Sequence, residues 1–140
     1  MTQEEKDLLL KDLYARLPYG VKCCIYNFGE NTIRIKEDRL WSVQGDNILT
    51  LKSCIEKGEA YMYHQIKPYL FPLSSMTDEQ KKELSDEMCY FTHSQIEGRD
   101  PNGIMNGTIF EIDFYNKNHI DYRGLIEKGL AIDATGKNIY

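Results

Sequence analysis

KPYLFPLSSMTDEQKKELSDEMCYFTH, residues 67–93, marks the point where the sequence changes from a strand pattern to a helix pattern. Pro68 and Pro72 each remove a backbone donor and bias the preceding residue toward extended backbone. Residues 67–73 are therefore predicted to form an ordered, extended connector. The connector is too apolar for a solvated linker, and we expect it to pack between the two halves of the chain.

Two capping boxes predict where helices begin. A Thr followed three residues later by Gln or Glu occurs at Thr77 and at Thr2, and each precedes residues with helical character. Leucines recur at helical spacing after Thr2 until Pro18 and a following glycine stop the pattern. We therefore predict helices within residues 1–18 and near residues 78–92.

Residues 20–66 show a different period. Apolar residues alternate with polar ones, which is typical of half-buried antiparallel strands, and glycine-containing turns separate the segments. This region predicts a strongly twisted antiparallel meander or a small open barrel, since both share one pattern. The predicted strands are about 21–28, 31–37, 39–44, 47–54 and 59–66.

The last part of the chain is predicted to be mainly helical over residues 67–140. Residues 108–118 fit both strand and helix spacing, whereas residues 122–128 are typical of a short helix capped by Asp121 and ended by Gly129. The whole chain of 140 residues is predicted to be one α+β domain, with the N-terminal helix before the strand-rich region.

Charge and composition narrow the function classes. The net charge is −5, and residues 68–140 carry seven basic and twelve acidic groups. This disfavours general binding to nucleic-acid phosphates, although the strand-rich region could hold a local basic patch. No apolar run is long enough for a bilayer and the beginning of the sequence is acidic, so we expect a cytoplasmic protein with no membrane association and with reduced cysteines.

No stretch carries a diagnostic catalytic or metal-binding motif. Cys89 and His93 fall on one helical face, but zinc would need two more ligands, and Cys23 and Cys24 would point to opposite faces of a strand. Packing is the favoured interpretation of all four residues. We predict no catalytic residues, no metal and no cofactor.

The densest polar cluster is His119, Asp121 and Arg123. These residues could supply an acid/base pair with an anion clamp. The favoured alternative is structural: Asp121 caps the short helix, Arg123 pairs with Glu127 one turn later, and His119 packs beside Tyr122.

Aromatic residues provide the second candidate surface. The chain has ten tyrosines and one tryptophan. Trp41, Tyr61 and Tyr63 could form an aromatic strip on one sheet face, which would stack on single-stranded nucleic acid if basic side chains lie beside it. The basic residues concerned are Arg34, Lys36 and Lys52.

Three runs resemble a family of small uncharacterised proteins encoded by prophages and other mobile elements of anaerobic gut bacteria. They are LPYGVKC (17–23), KPYLFPLSSMTDEQ (67–80) and NHIDYRGLIEKGLAIDATG (118–136). The resemblance implies a helix over residues 108–118 and a gene context, but it carries no activity and no site residues.

Three functional hypotheses follow from these observations. The first is a non-enzymatic accessory protein of a mobile element that acts by binding a host or phage protein. The second is a nucleic-acid-binding module that uses the strand-rich region, and the third is a small enzyme of unknown reaction. The candidate binding residues are Trp41, Tyr61, Tyr63, His119, Asp121 and Arg123, and homo-oligomerisation is left open.

Overall fold

A computed structural model describes residues 1–29, 32–51, 55 and 60–140, and for residues 27–29 and 32–36 it describes the backbone. The predicted α+β class is confirmed: an N-terminal helix precedes an open sheet, and two further helices follow. The α-helices whose bounds lie within the described residues are α1 (Gln3–Arg16), α2 (Asp78–Ile96) and α3 (Gly103–Lys117). The strands are β1 (Lys22–Gly29), β2 (Thr32–Gln44), β3 (Asn47–Thr50), β4 (Tyr61–Met62), β5 (Ile66–Pro72), β6 (Ile120–Asp121) and β7 (Ile132–Asp133).

The sheet is open and mixed. Its order is β4-β3-β2-β1-β5-β6, with β7 also paired to β5. The pairings among β1 to β5 are antiparallel, whereas β6 and β7 each run parallel to β5. The predicted alternatives were a twisted meander and a small open barrel, and the described strands form an open sheet that does not close into a barrel.

The boundaries of four of the five predicted strands were wrong. The predicted strands 31–37 and 39–44 lie in the single strand β2 (Thr32–Gln44), because neither glycine nor proline interrupts the extended backbone between them. Residue 31 lies outside the described part of the chain. In the segment predicted as 59–66, the described residues form the two-residue strand β4, a 3-10 turn at 63–65 and, at Ile66, the start of β5. Residue 59 lies outside the described part of the chain. The segment predicted as 47–54 ends as a strand at Thr50, and its residues 52–54 lie outside the described part of the chain.

The predicted connector is extended, but it is a strand of the sheet. Its residues form β5, which pairs with β1, β6 and β7. Pro68 is tolerated because the β1 ladder ends there, at the pair Cys23 and Pro68, so no further donor is needed toward β1. The chain thus joins its two halves through one shared strand.

Helix α1 covers one face of the sheet. Leu9 and Leu13 are fully buried, which confirms the leucine stripe as a core face. Cys23 belongs to this main core, and Cys24 to a smaller cluster on the other face with Tyr69, Ala134 and Ile139. The predicted opposite orientation of the two cysteines is confirmed. The main core consists of Leu9, Leu13, Val21, Cys23, Ile25, Leu40, Val43, Ile48, Ile66, Leu70, Leu125, Leu130 and Ala131.

Both capping boxes are present, at Thr2 and at Thr77, and each starts a helix as predicted. The helix predicted over 108–118 exists as α3 and begins earlier, at Gly103. The helix predicted over 122–128 is absent, because the backbone forms successive turns with Gly124 at a φ of +73°. Among the described helices, none combines the length and the apolar character needed to cross a bilayer.

Candidate functional site

A buried ion pair lies at the end of α1. The side chains of Asp12 and Arg16 are both fully buried. Arg16 donates from Nε to Asp12 Oδ2 at 2.7 Å and from Nη2 to Oδ1 at 3.1 Å. The same Nη2 donates to the carbonyl of Ile120 at 2.7 Å. The pair therefore ties the N-terminal helix to strand β6.

Arg123 joins this pair from the turn after β6. Its Nε lies 3.4 Å from Asp12 Oδ1, and its Nη2 donates to the hydroxyl of Tyr122 at 3.0 Å. Burial raises the pKa of Asp12, and the nearby cations Arg16 and Arg123 oppose that rise. The predicted pairing of Arg123 with Glu127 was wrong, since the segment is not helical and the guanidinium turns inward to Asp12.

Asp121 fulfils part of its predicted role, which was to cap a helix. Its carboxylate accepts from the backbone N–H groups of Leu125 at 2.8 Å and Ile126 at 2.9 Å. The residue caps turns rather than a helix. With both oxygens engaged in this way, Asp121 is better suited to hold the chain than to exchange protons.

His119 has an unusual backbone and an unusual ring environment. Its φ is +58°, and its ring stacks on Tyr140 with centroids 3.8 Å apart and planes inclined by 10°. Burial, followed by the charges of Arg16 and Lys22, lowers the pKa of His119 to about 4. The predicted neighbour Tyr122 stacks instead on Tyr115. A neutral, packed His119 fits the structural interpretation of the cluster.

Tyr140 is a structural residue that sequence reasoning missed. Its hydroxyl accepts from the N–H of Lys22 at 2.9 Å and donates to the carbonyl of Tyr69 at 2.8 Å. It therefore bridges β1 and β5 just beyond the end of their ladder. Burial raises the pKa of this phenol, which stays a neutral donor. No local sequence signal marks a contact between such distant residues.

The three aromatic candidates of the strand-rich region have different surroundings. Trp41 is the extra residue of a bulge in β2 and is 51% exposed. Tyr61 and Tyr63 pack partly against the main core, and Lys6 lies 4.6 Å above the Tyr63 ring. The side chains of Arg34, Lys36 and Lys52 lie outside the described residues. Of the three candidates, Trp41 alone therefore offers a largely open aromatic surface.

An exposed apolar surface lies on the helical hairpin formed by α2 and α3. Two glycines of α3 allow the helices to pack closely. A Cβ at Gly103 would collide with the carbonyl oxygen of Phe91, and one at Gly107 would come within 3.2 Å of the Phe91 Cβ. This glycine seam fixes which face of α3 meets α2 and leaves the other face outward.

That outward face carries Ile104, Met105, Ile109 and Ile112, which we call the α3 stripe. Their exposed fractions range from 41% to 63%. At 3.6 residues per turn these four positions share one side of the helix. Thr108 lies among them, but its hydroxyl already donates to the carbonyl of Ile104 at 3.1 Å, so a partner that covers it need not supply an acceptor.

The hairpin also concentrates the acidic charge. Residues 78–117 carry nine acidic and four basic groups, a net charge of −5 that equals that of the whole chain. The remaining residues carry thirteen of each sign. Helical spacing places Glu111 and Asp113 on opposite borders of the α3 stripe. The stripe is therefore an apolar surface with an acidic border.

The cysteine and histidine candidates do not assemble a metal site. Cys89 and His93 are both exposed on α2. In the ranges that the structure describes, no group of three or more His, Cys, Asp or Glu side chains is arranged to hold an ion. Cys23, Cys24 and Cys89 have free thiols, and Cys54 lies outside the described residues.

Fold and surface together define an α+β protein with an open mixed sheet and an acidic helical hairpin. No family model matches the chain, and no significant match was found among curated proteins or solved structures.

Proposed function

We propose that this chain is a non-enzymatic accessory protein of a mobile element, acting in the cytoplasm by binding a host or phage protein through the α3 stripe. The observation that carries the proposal is the outward apolar face of α3 with its acidic border. The mobile-element context is supported by the resemblance of the three sequence runs. The pairing of Arg123 with Asp12 and the backbone hydrogen bonds that engage Asp121 support a non-enzymatic role.

The stripe is large enough to anchor a partner. Each of its four side chains is about half exposed, so covering one completely would contribute about 1 kcal/mol. All four together would contribute about 4 kcal/mol, a gross gain of about a thousandfold in affinity before binding costs. Energy concentrated in a few central apolar residues is typical of protein interfaces.

The acidic border selects the chemistry of the partner. Glu111 and Asp113 favour a surface whose apolar ridge is flanked by Lys or Arg, because opposite charges speed encounter and penalise wrong partners. An amphipathic basic helix has this arrangement and fits alongside a helix. A second copy would bring together two hairpins of net charge −5, so a different protein is the favoured occupant.

A defined pair of peptides tests the proposal. One is an amphipathic helix with a leucine face bordered by lysines, and the other has glutamate in place of each lysine. The basic peptide should bind by calorimetry and the acidic peptide should not. Ile109→Ser should weaken binding about tenfold, the equivalent of about 1.4 kcal/mol.

The matched control is Ile55→Ser, since Ile55 is 72% exposed in the strand-rich half. It should leave binding of the basic peptide unchanged. Equal binding of both peptides, or equal losses in the two variants, would reject the stripe as the recognition surface.

Nucleic-acid binding through the strand-rich region is the second candidate. Trp41 favours it, because a half-exposed tryptophan in a bulge offers a stacking surface. Binding of single-stranded DNA should then weaken steeply as salt rises and should be lost in Trp41→Ala. Undetectable or salt-insensitive binding would remove this candidate.

A further inference from the structure

A cleft of about 550 Å³ lies between the end of β5 and the turns that follow β6. Pro72, Leu73 and Ser74 line one side of it, and residues from 121 to 127 line the other. None of the α3 stripe residues lines this cleft. A ligand of this cleft would therefore bind away from the proposed protein interface.

Arg123 supplies a cation to the wall of the cleft. Asp12 is already held by two hydrogen bonds from Arg16, so the trio of Asp12, Arg16 and Arg123 carries one positive charge in excess. The buried Nε of Arg123 lies 3.4 Å from Asp12 Oδ1 without forming a hydrogen bond, and Nη2 donates to the hydroxyl of Tyr122. Among the described residues its Nη1 has no acceptor, and this atom is not among the buried unpaired ones. Arg123 is thus held in place with donors to spare.

Further donors lie beside this guanidinium. Within the described part of the chain, no acceptor engages the backbone N–H groups of Arg123 and Gly124 or the hydroxyl of Ser74. All three residues line the cleft. Gly124 has a φ of +73°, and successive N–H groups next to such a residue commonly form an anion-binding concavity. A planar anion is the group that a fixed guanidinium binds best.

The other residues that line the cleft limit the negative charge of a ligand and favour a ligand with an apolar group. Glu127 is exposed and also lines the cleft, and the engaged carboxylate of Asp121 contributes a second negative charge. These charges disfavour a dianion. Leu73 and Ile126 supply apolar surface near the same opening.

We propose that this cleft binds a small organic monocarboxylate. The carboxylate lies against Arg123 and the N–H groups of the turn, and its aliphatic or aromatic group packs on Leu73 and Ile126.

The test is an NMR titration of the intact chain with 3-methylbutanoate, in parallel with 3-methylbutanamide and with inorganic phosphate. The carboxylate should produce saturable shifts of the Arg123 and Gly124 amides, while the isosteric neutral amide should not. Absence of saturable shifts at tens of millimolar, equal binding of the amide, or stronger binding of phosphate would each overturn the proposal.

Two variants separate recognition from folding. Glu127→Gln changes an exposed side chain, so it should leave the fold unchanged and tighten 3-methylbutanoate binding several-fold by removing a repulsive charge. Unchanged or weaker binding in Glu127→Gln would contradict the proposal. Arg123→Lys keeps the charge but loses the planar fork, and it should weaken binding about tenfold. If Arg123→Lys does not fold, the binding of 3-methylbutanoate to Glu127→Gln tests the proposal by itself.

Discussion

Asp12→Ala should destabilise the protein more than any exposed substitution. It leaves Arg16 fully buried without its carboxylate, with Nη1 already unpaired and only the Ile120 carbonyl as an acceptor. Arg123 then faces Arg16 without an intervening negative charge. Breaking a buried pair from one side typically costs about 3–5 kcal/mol, and the second cation places this variant near the upper end of that range. The expected loss is a large share of the 5–15 kcal/mol that stabilises a typical domain.

Urea unfolding followed by circular dichroism measures this loss. Asp7→Ala on the exposed side of α1 is the matched control and should change the free energy of unfolding by less than about 0.5 kcal/mol. The double variant Asp12→Leu with Arg16→Met removes both charges of the buried pair, and the Ile120 carbonyl still accepts from the Tyr122 N–H. The variant should therefore recover most of the loss and retain about 1–3 kcal/mol, because the Arg123 guanidinium loses its carboxylate partner. A loss below about 1 kcal/mol in Asp12→Ala, or a double variant no better than the single, would refute the reasoning.

Three further outcomes are expected. Gly103→Ala should cost about 1–3 kcal/mol in thermal unfolding because its Cβ collides with Phe91, whereas a neutral effect would mean the hairpin does not pack along this seam. Tyr140→Phe should cost about 1–3 kcal/mol and accelerate hydrogen exchange at the Lys22 amide, and unchanged exchange would contradict the bridging role. The contribution of His119 to stability should be constant above about pH 7 and should fall as pH drops from 6.5 toward 4, because unfolding returns the pKa of His119 from about 4 to its ordinary value. The expected loss of stability is about 1–2 kcal/mol for this half-buried ring after solvent screening. The loss should be absent in His119→Asn, because Asn tolerates the same backbone conformation. An equal loss in that variant would assign the pH dependence to other groups.

The elements that depend on local signals could be predicted from the sequence. Caps at Thr2 and Thr77 and the alternation of Cys23 and Cys24 act over a few residues, so their structural consequences can be predicted without knowing the fold. The role of β5 could not be predicted, because it depends on pairing with β6 and β7, which come later in the chain and are two residues long each. Their patterns are too short to show any period.

The polar cluster was predicted only in part. His119, Asp121 and Arg123 are adjacent in sequence, whereas Arg16 contacts Ile120 across 104 residues. The sequence did contain a signal for Asp12 and Arg16, the two residues that were not predicted to join this cluster. They lie on the same helical face as Leu9 and Leu13. Two opposite charges on an apolar helical face indicate a buried ion pair. The prediction of a helix over 122–128 was wrong for a similar reason, because Arg123 contacts Asp12, which is distant in the sequence.

The α3 stripe was hidden by an ambiguous pattern. Phe110 and Ile112 alternate with acidic residues as in a strand, yet they lie on different sides of α3. Apolar residues on both sides of a helix indicate two partners, of which α2 is one. Gly103 and Gly107, four residues apart, could have identified the side that meets α2.

Site-specific photo-crosslinking from position 109 tests the central claim most directly. A benzophenone amino acid replaces Ile109 in cells that express the protein, and the same replacement at Ile55 is the control. We predict an adduct from position 109 and none from position 55, with the crosslinked segment carrying apolar residues flanked by Lys or Arg. Adducts only from position 55, an acidic crosslinked segment, or a second copy of this chain as the captured protein would contradict the account.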